Sequence, residues 1–233
     1  MKNIQLILQD KCQYDCFYCP LKGEGSNRKE AENADMFRGA NVELCGGEPL
    51  LLDDITETVK RLKAVDGIGK VRLTTNGILL AGKADELKAA GLDGVNIHVD
   101  TIESVGFTKT TGCEQLLNEV LKGIWKAVAI GMPTTVTVVV HKYSLSGCAV
   151  MAGLAKQLPI VVRFVWEGEY SAGIDEKTVF EKIRKTAGRD IENEDGLYRP
   201  KGWAGSFTFG KGISGAFGTE DSRRLEVSLP ITA

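Results

Sequence analysis

Six short runs rich in β-branched residues, at positions 4–8, 42–45, 71–74, 95–99, 134–140 and 160–166, alternate with longer amphipathic stretches. That alternation predicts repeated strand–helix units and a parallel sheet, because each helix crosses back over the sheet to start the next strand. The run at 134–140 is almost continuously apolar, as expected of a strand covered on both faces. Ile55, Val59 and Leu62 share one helical face behind a cap at Asp53 or Asp54. Leu117, Val120, Leu121, Ile124 and Val128 share another, in a helix predicted over 114–130. Gly91, Gly131 and Pro159 are placed to end helices. Six units in about 170 residues predict an α/β fold, an open partial (β/α)6 barrel rather than a full eight-stranded one, which needs about 250 residues.

After about Ala172 the rhythm changes to one more helix at 175–186, a polar stretch through Asp195, and a glycine-rich segment at 202–218. The expected organisation is a barrel over residues 1–172 and a C-terminal extension over 173–233 packed against its open side, with the glycine-rich segment as a lid. The 29 Lys and Arg against 31 Asp and Glu give a net charge of -2, so no basic field draws in nucleic acid. The apolar start of the chain is too short for a signal-peptide core or a membrane span, which predicts a cytoplasmic protein with no membrane partner.

Six cysteines are too few for a disulfide scaffold, and three of them, Cys12, Cys16 and Cys19, crowd into the loop after the first strand. Their C-x3-C-x2-C spacing supplies three thiolates where a 4Fe-4S cluster normally takes four, leaving one iron open for a chelating ligand. Zinc would need a fourth ligand, and no Cys or His lies nearby in sequence. The second strand ends in Cys45-Gly46-Gly47-Glu48-Pro49, where residues without side chains let backbone approach a ligand. Loops at the C-terminal ends of parallel barrel strands carry active sites, and both motifs fall there. Cys45, Cys113 and Cys148 are dispersed and read as small buried residues. The Gly-x-Gly-x-x-Gly at 210–215 opens no apolar helix and is discounted as a dinucleotide fingerprint.

The run Cys12-x3-Cys16-x-Tyr18-Cys19 resembles the cluster loop of the radical S-adenosylmethionine (radical SAM) superfamily, and Gly46-Gly47-Glu48-Pro49 resembles that family's motif after its second strand. Thr74-Thr75-Asn76-Gly77, the run from Gly91 to Asp100, and Lys122 to Ala127 are similar to the MoaA-type GTP cyclases of molybdenum-cofactor biosynthesis. The resemblance continues through Val138-Val139, Val162-Arg163-Phe164 and the stretch from Gly205 to Leu229.

It implies one 4Fe-4S cluster on Cys12, Cys16 and Cys19 and S-adenosylmethionine as cofactor, chelating the open iron. It further implies SAM contacts from Tyr18 near the adenine, from Gly46, Gly47, Glu48 and Pro49, and from Thr74 and Asn76. His98 stands where a serine contacts SAM, at the end of an inward-facing strand, and is a candidate ligand or proton donor. Arg163, ending the sixth strand, is a candidate for gripping a carboxylate or phosphate.

The departures bear on the substrate. Gln5, Glu43 and Thr135 stand where the cyclase has cations, and Gly218 and Asp221 occupy its second-cluster segment with no cysteine after Cys148. The cyclase's glycine-ending tail is not matched at Thr232-Ala233. The expectation is therefore a radical SAM enzyme with one cluster that abstracts hydrogen from a small, nucleotide-like or carboxylated substrate other than GTP. Its partners would be that substrate and an electron donor such as flavodoxin or ferredoxin. The alternatives are a peptide-modifying or protein-activating radical SAM enzyme and, from another class, a non-catalytic iron-sulfur or zinc protein.

Overall fold

The structure, a computed structural model, describes residues 2–19, 29–30, 34–211 and 222–228. In chain order the strands are β1 (Lys2–Ile7), β2 (Lys29–Glu30), β3 (Ala40–Cys45), β4 (Val71–Thr75), β5 (Gly94–His98), β6 (Thr134–Val139), β7 (Val161–Trp166), β8 (Ile191–Glu194), β9 (Leu197–Pro200), β10 (Ser206–Lys211) and β11 (Ser222–Ser228). The helices are α1 (Ile55–Lys63), α2 (Leu80–Ala89), α3 (Ser104–Thr111), α4 (Leu117–Ala129), α5 (Cys148–Gln157) and α6 (Glu176–Ala187). One sheet runs in the order β2-β11-β1-β3-β4-β5-β6-β7-β10-β9-β8. From β11 to β10 every pairing is parallel, and only the β8–β9–β10 edge is antiparallel. The six strands expected from the sequence are β1, β3, β4, β5, β6 and β7, in order at its centre. This is a partial (β/α) barrel.

Alternation along the strands decides what each face meets. Val136, Val138 and Val140 join the apolar core under the helices, whereas Val139 packs with Tyr18 and Val165 on the inner face. Helix α1 buries Ile55, Val59 and Leu62 as expected. Asp54 sits at its N-cap position, but its side chain makes no capping bond; its carbonyl instead accepts from the Thr58 backbone and hydroxyl. Helix α4 starts three residues later than predicted, at Leu117. Gly91 and Gly131 follow α2 and α4 at positive φ, and α5 ends at Gln157, ahead of Pro159.

The region after 172 differs more from expectation. The polar stretch through Asp195 forms the β8–β9 hairpin, turning on Asp195 and Gly196 at φ 49 and 81. Part of the glycine-rich segment is not a lid: residues 206–211 are β10, in parallel register with β7 and burying Phe207. Gly205 makes this possible, since a Cβ there would lie 2.2 Å from the Ile160 carbonyl oxygen. The remainder, 212–218, lies outside the described residues, as does the stretch compared with a second-cluster segment. Strand β11 pairs with β1 at the opposite edge.

Candidate active site

The C-terminal ends of the parallel strands converge on the cysteine loop. Leaving β1, the chain lies against the turn that leaves β3: the Gly47 amide donates to the Gln9 carbonyl at 2.6 Å and the Glu48 amide to the Lys11 carbonyl at 2.8 Å. Both glycines are required by contact. A Cβ on Gly46, at φ 139, would lie 2.4 Å from the Gln9 oxygen, and one on Gly47 would lie 2.2 Å from the Lys11 oxygen. The double glycine thus seats the start of the cluster loop, a role that the sequence reading, looking for contacts to a ligand, did not assign to it. The far side of the loop is held by Asp15, whose amide donates to Thr111 at 2.8 Å, and by the Cys113 thiol on the Gln13 carbonyl at 3.3 Å.

Cys12 is exposed and Cys16 and Cys19 are half-buried, all three as free thiols. The Cys19 amide closes a turn on the Cys16 carbonyl at 3.1 Å. Burial pushes the Cys12 and Cys16 thiols up, with Cys19 pushing the same way on Cys12 and both Cys12 and Cys19 on Cys16. Among the described residues no three Cys, His, Asp or Glu side chains converge on a single ion. A 4Fe-4S cubane takes each thiolate on a different iron, so three thiols in one loop would leave its fourth iron open. The donor set fits a cluster.

Glu48 is fully buried and braces the next loop. One carboxylate oxygen accepts from the Leu50 amide at 2.9 Å and the Thr75 hydroxyl at 2.8 Å, the other from the Asn76 amide at 2.6 Å. Burial pushes its pKa up, and these donors pull it back. Pro49 opens the short 3-10 turn that Glu48 caps. Asn76 turns its side-chain amide toward the loop, 2.9 Å from Gln13 Oε1 and 3.7 Å from Cys12 Sγ.

Tyr18 is buried with its hydroxyl on Asp100, a residue that sequence reading passed over. Asp100 also accepts from the Val139 amide at 2.7 Å and meets His141 Nε2 at 3.1 Å. Since the Tyr143 amide donates to His141 Nδ1 at 3.1 Å, the proton is assigned to Nε2, which donates to Asp100. Asp100, itself held by His141, thus fixes the Tyr18 ring, 6.4 Å between centroids from His98. Asp100 follows His98 by two residues, so period-2 alternation was the signal that could have found it. His141 lies 41 residues away and had no such signal.

The His98 Nε2 atom is enclosed and has no hydrogen-bond partner. Burial lowers its pKa below the ordinary 6.5, an effect that Arg163 reinforces and Asp100 opposes. The imidazole is thus neutral at pH 7.

One layer deeper, a polar belt crosses the inner face of the sheet. Gln5 Nε2 donates to Glu43 at 3.2 Å, Thr74 donates to Glu43, Asn96 Nδ2 donates to Thr74 at 3.1 Å, and Thr137 donates to Asn96 at 2.7 Å. Arg163 is level with Thr137 in register, and its guanidinium lies against Gly210. Burial lowers its pKa and the Glu43 charge raises it. Arg163 is thus the third residue of β7, not its last, and through Thr137 it is level in register with His98, two residues above the level of Thr74 and Asn96. The remaining cysteines divide: Cys148 is buried, its thiol pushed up to about 12 by burial. Cys45 and Cys113, contrary to expectation, are only half-buried, their thiols on the Leu6 and Gln13 carbonyls.

The sequence profile of the Radical SAM superfamily matches residues 6–148, more than half of the chain. The chain belongs to this superfamily. Within it, the chain resembles MoaA-type proteins: the probable GTP 3',8-cyclase of Sulfolobus acidocaldarius is 36% identical over 157 residues, covering 63% of this chain and 50% of that protein. The probable GTP 3',8-cyclase of Sulfurisphaera tokodaii is 30% identical over 218 residues, covering 86% of this chain and 69% of its own. The chain spans about half the length of the first of these curated relatives. Among solved structures, Streptococcus suis SuiB bound to S-adenosylmethionine superposes with a TM-score of 0.65 at 14% identity, covering 97% of this chain and 58% of that one. Methylornithine synthase (PylB) gives 0.59 at 14% identity, covering 79% and 61%. At such identities these structures establish the shared fold. Among the described residues no helix is long and apolar enough to cross a membrane.

Proposed function

We propose that the chain is an enzyme that holds one 4Fe-4S cluster on Cys12, Cys16 and Cys19 and uses S-adenosylmethionine to abstract hydrogen from a small, nucleotide-like or carboxylated substrate. The observation that carries this reading is the seating of the cysteine loop on Gly46 and Gly47, which brings the cluster ligands and the glycine turn to one rim. When bound, the cluster would supply one electron to SAM, whose cleavage to methionine and a 5'-deoxyadenosyl radical provides the hydrogen abstractor.

The chain's own residues do the rest. Gly46, Gly47 and Pro49 present a backbone edge to SAM, and Glu48 fixes the loops on either side of it. Tyr18 offers a ring locked by Asp100, and neutral His98 offers an unsatisfied nitrogen to a ligand above it. Thr74 bonds Glu43 and Arg163 feels the Glu43 charge, where Glu43 and Gln5 replace the cyclase's cations; a carboxylate there opposes a triphosphate of about four negative charges. GTP is accordingly not the substrate we propose.

We read residues 1–172 as the catalytic barrel and 173–233 as an extension that lengthens its sheet. A reducing cytoplasm and a flavodoxin or ferredoxin as electron donor complete the reading, with neither nucleic acid nor membrane as partner.

The test is anaerobic reconstitution with iron and sulfide, followed by assay of 5'-deoxyadenosine with SAM and dithionite, for the wild type and Cys16→Ala. The wild type should form 5'-deoxyadenosine and the variant should fall to background. A fully loaded wild type that forms none and binds no SAM would overturn the reading.

A further inference from the structure

We propose that Asn76 is a positioning residue for the cluster's electronics: its side-chain N–H, aimed at the Cys12 sulfur, raises the reduction potential of the cluster. The inference rests on the reading that Cys12 holds one of the irons. The orientation of the amide is fixed from several directions. Asn76 Oδ1 accepts from the Ile78 amide at 3.0 Å, which leaves Nδ2 facing the loop. There Nδ2 reaches Gln13 Oε1 at 2.9 Å and Cys12 Sγ at 3.7 Å, one hydrogen for each acceptor. The backbone of Asn76 is pinned in turn by Glu48, and the residue is only 6% exposed. The Tyr14 amide approaches the same sulfur at 3.4 Å.

Two N–H dipoles therefore point at the thiolate of an otherwise exposed cysteine. An electron added to the cluster places more negative charge on its sulfurs, so a donor aimed at one of them stabilises the reduced state more than the oxidised state. Because both hydrogens of the amide are taken, Asn76 has none left for SAM, and its effect falls on the cluster instead.

The measurement is an EPR-monitored redox titration of the reconstituted full chain. Asn76→Ser can keep the turn to Ile78 but cannot reach Cys12. Asn76→Asp keeps the turn acceptor and turns an anionic oxygen toward the sulfur. At unchanged iron content, the midpoint should become more negative in the order wild type, Asn76→Ser, Asn76→Asp. Gln13→Met, which removes only the other acceptor of the amide, should titrate with the wild type. Loaded Asn76 variants that keep the wild-type midpoint would overturn the proposal, as would loss of the cluster from both, which assigns Asn76 a purely structural role. A wild type that takes up no cluster would overturn the enzyme reading and this inference with it.

Discussion

Gly47→Ala is expected to weaken uptake of the proposed 4Fe-4S cluster while leaving all three cysteines and the barrel in place. The new Cβ would sit 2.2 Å from the Lys11 carbonyl oxygen and 2.6 Å from the Asp10 carbonyl carbon. Both obstacles are backbone, so no side chain can swing aside. The same segment is tied to the turn by the Gly47 and Glu48 amides, so relief of the clash must break those bonds or shift the whole loop. Overpacking of this kind costs about 1–3 kcal/mol, which lowers the equilibrium constant for seating the loop roughly 5- to 150-fold. Iron per chain after anaerobic reconstitution should fall accordingly, with thermal unfolding of the metal-free chain little changed. Full iron retention by the variant would show that the glycine turn does not seat the loop.

Glu48→Ala should have the largest effect on folding of any single change at the rim. Its two oxygens satisfy the Leu50 amide, the Thr75 hydroxyl and the Asn76 amide inside a fully buried site. Removing them strands three donors, each costing about 1–3 kcal/mol when unsatisfied, less whatever water recovers on entering the space left. A net loss of about 3–5 kcal/mol is expected in denaturant unfolding, large against a typical total of about 5–15 kcal/mol. Glu48→Gln retains one acceptor and should lose about half as much, because its amide must face a donor. Equal stability of Glu48→Ala and the wild type would contradict the assigned bracing role.

The parts of the molecule legible in the sequence are those whose signals are local. The cysteine loop carries its three thiols within eight positions, and the six central strands announce themselves by composition. Helix α3, by contrast, reads Ser-Val-Gly-Phe-Thr-Lys-Thr-Thr with no amphipathic stripe, and its Thr108, Thr110 and Thr111 hydroxyls bond back to carbonyls four residues earlier. The β8–β9 hairpin did carry a signal, Asp195-Gly196, which the surrounding polarity obscured.

The polar belt of Gln5, Glu43, Thr74, Asn96 and Thr137 could not be read in advance. Each residue occupies one inward position in a different strand, and only the parallel register brings them into one chain of hydrogen bonds. The same holds for Tyr18, Asp100 and His141, which come from loops after three strands. Level within the barrel was likewise invisible: counting from sequence put Arg163 at a strand end, whereas it is the third residue of β7 and level in register with His98 through Thr137.

The most direct test of the account is the EPR spectrum of the dithionite-reduced, reconstituted chain with and without SAM. A cluster held by three thiolates has an open iron, so SAM should change the g-values of the reduced signal, and omitting SAM should restore them. A reduced 4Fe-4S signal that SAM leaves unaltered would mean that no iron is open to it, and would contradict the assignment of this rim as a site of SAM chemistry.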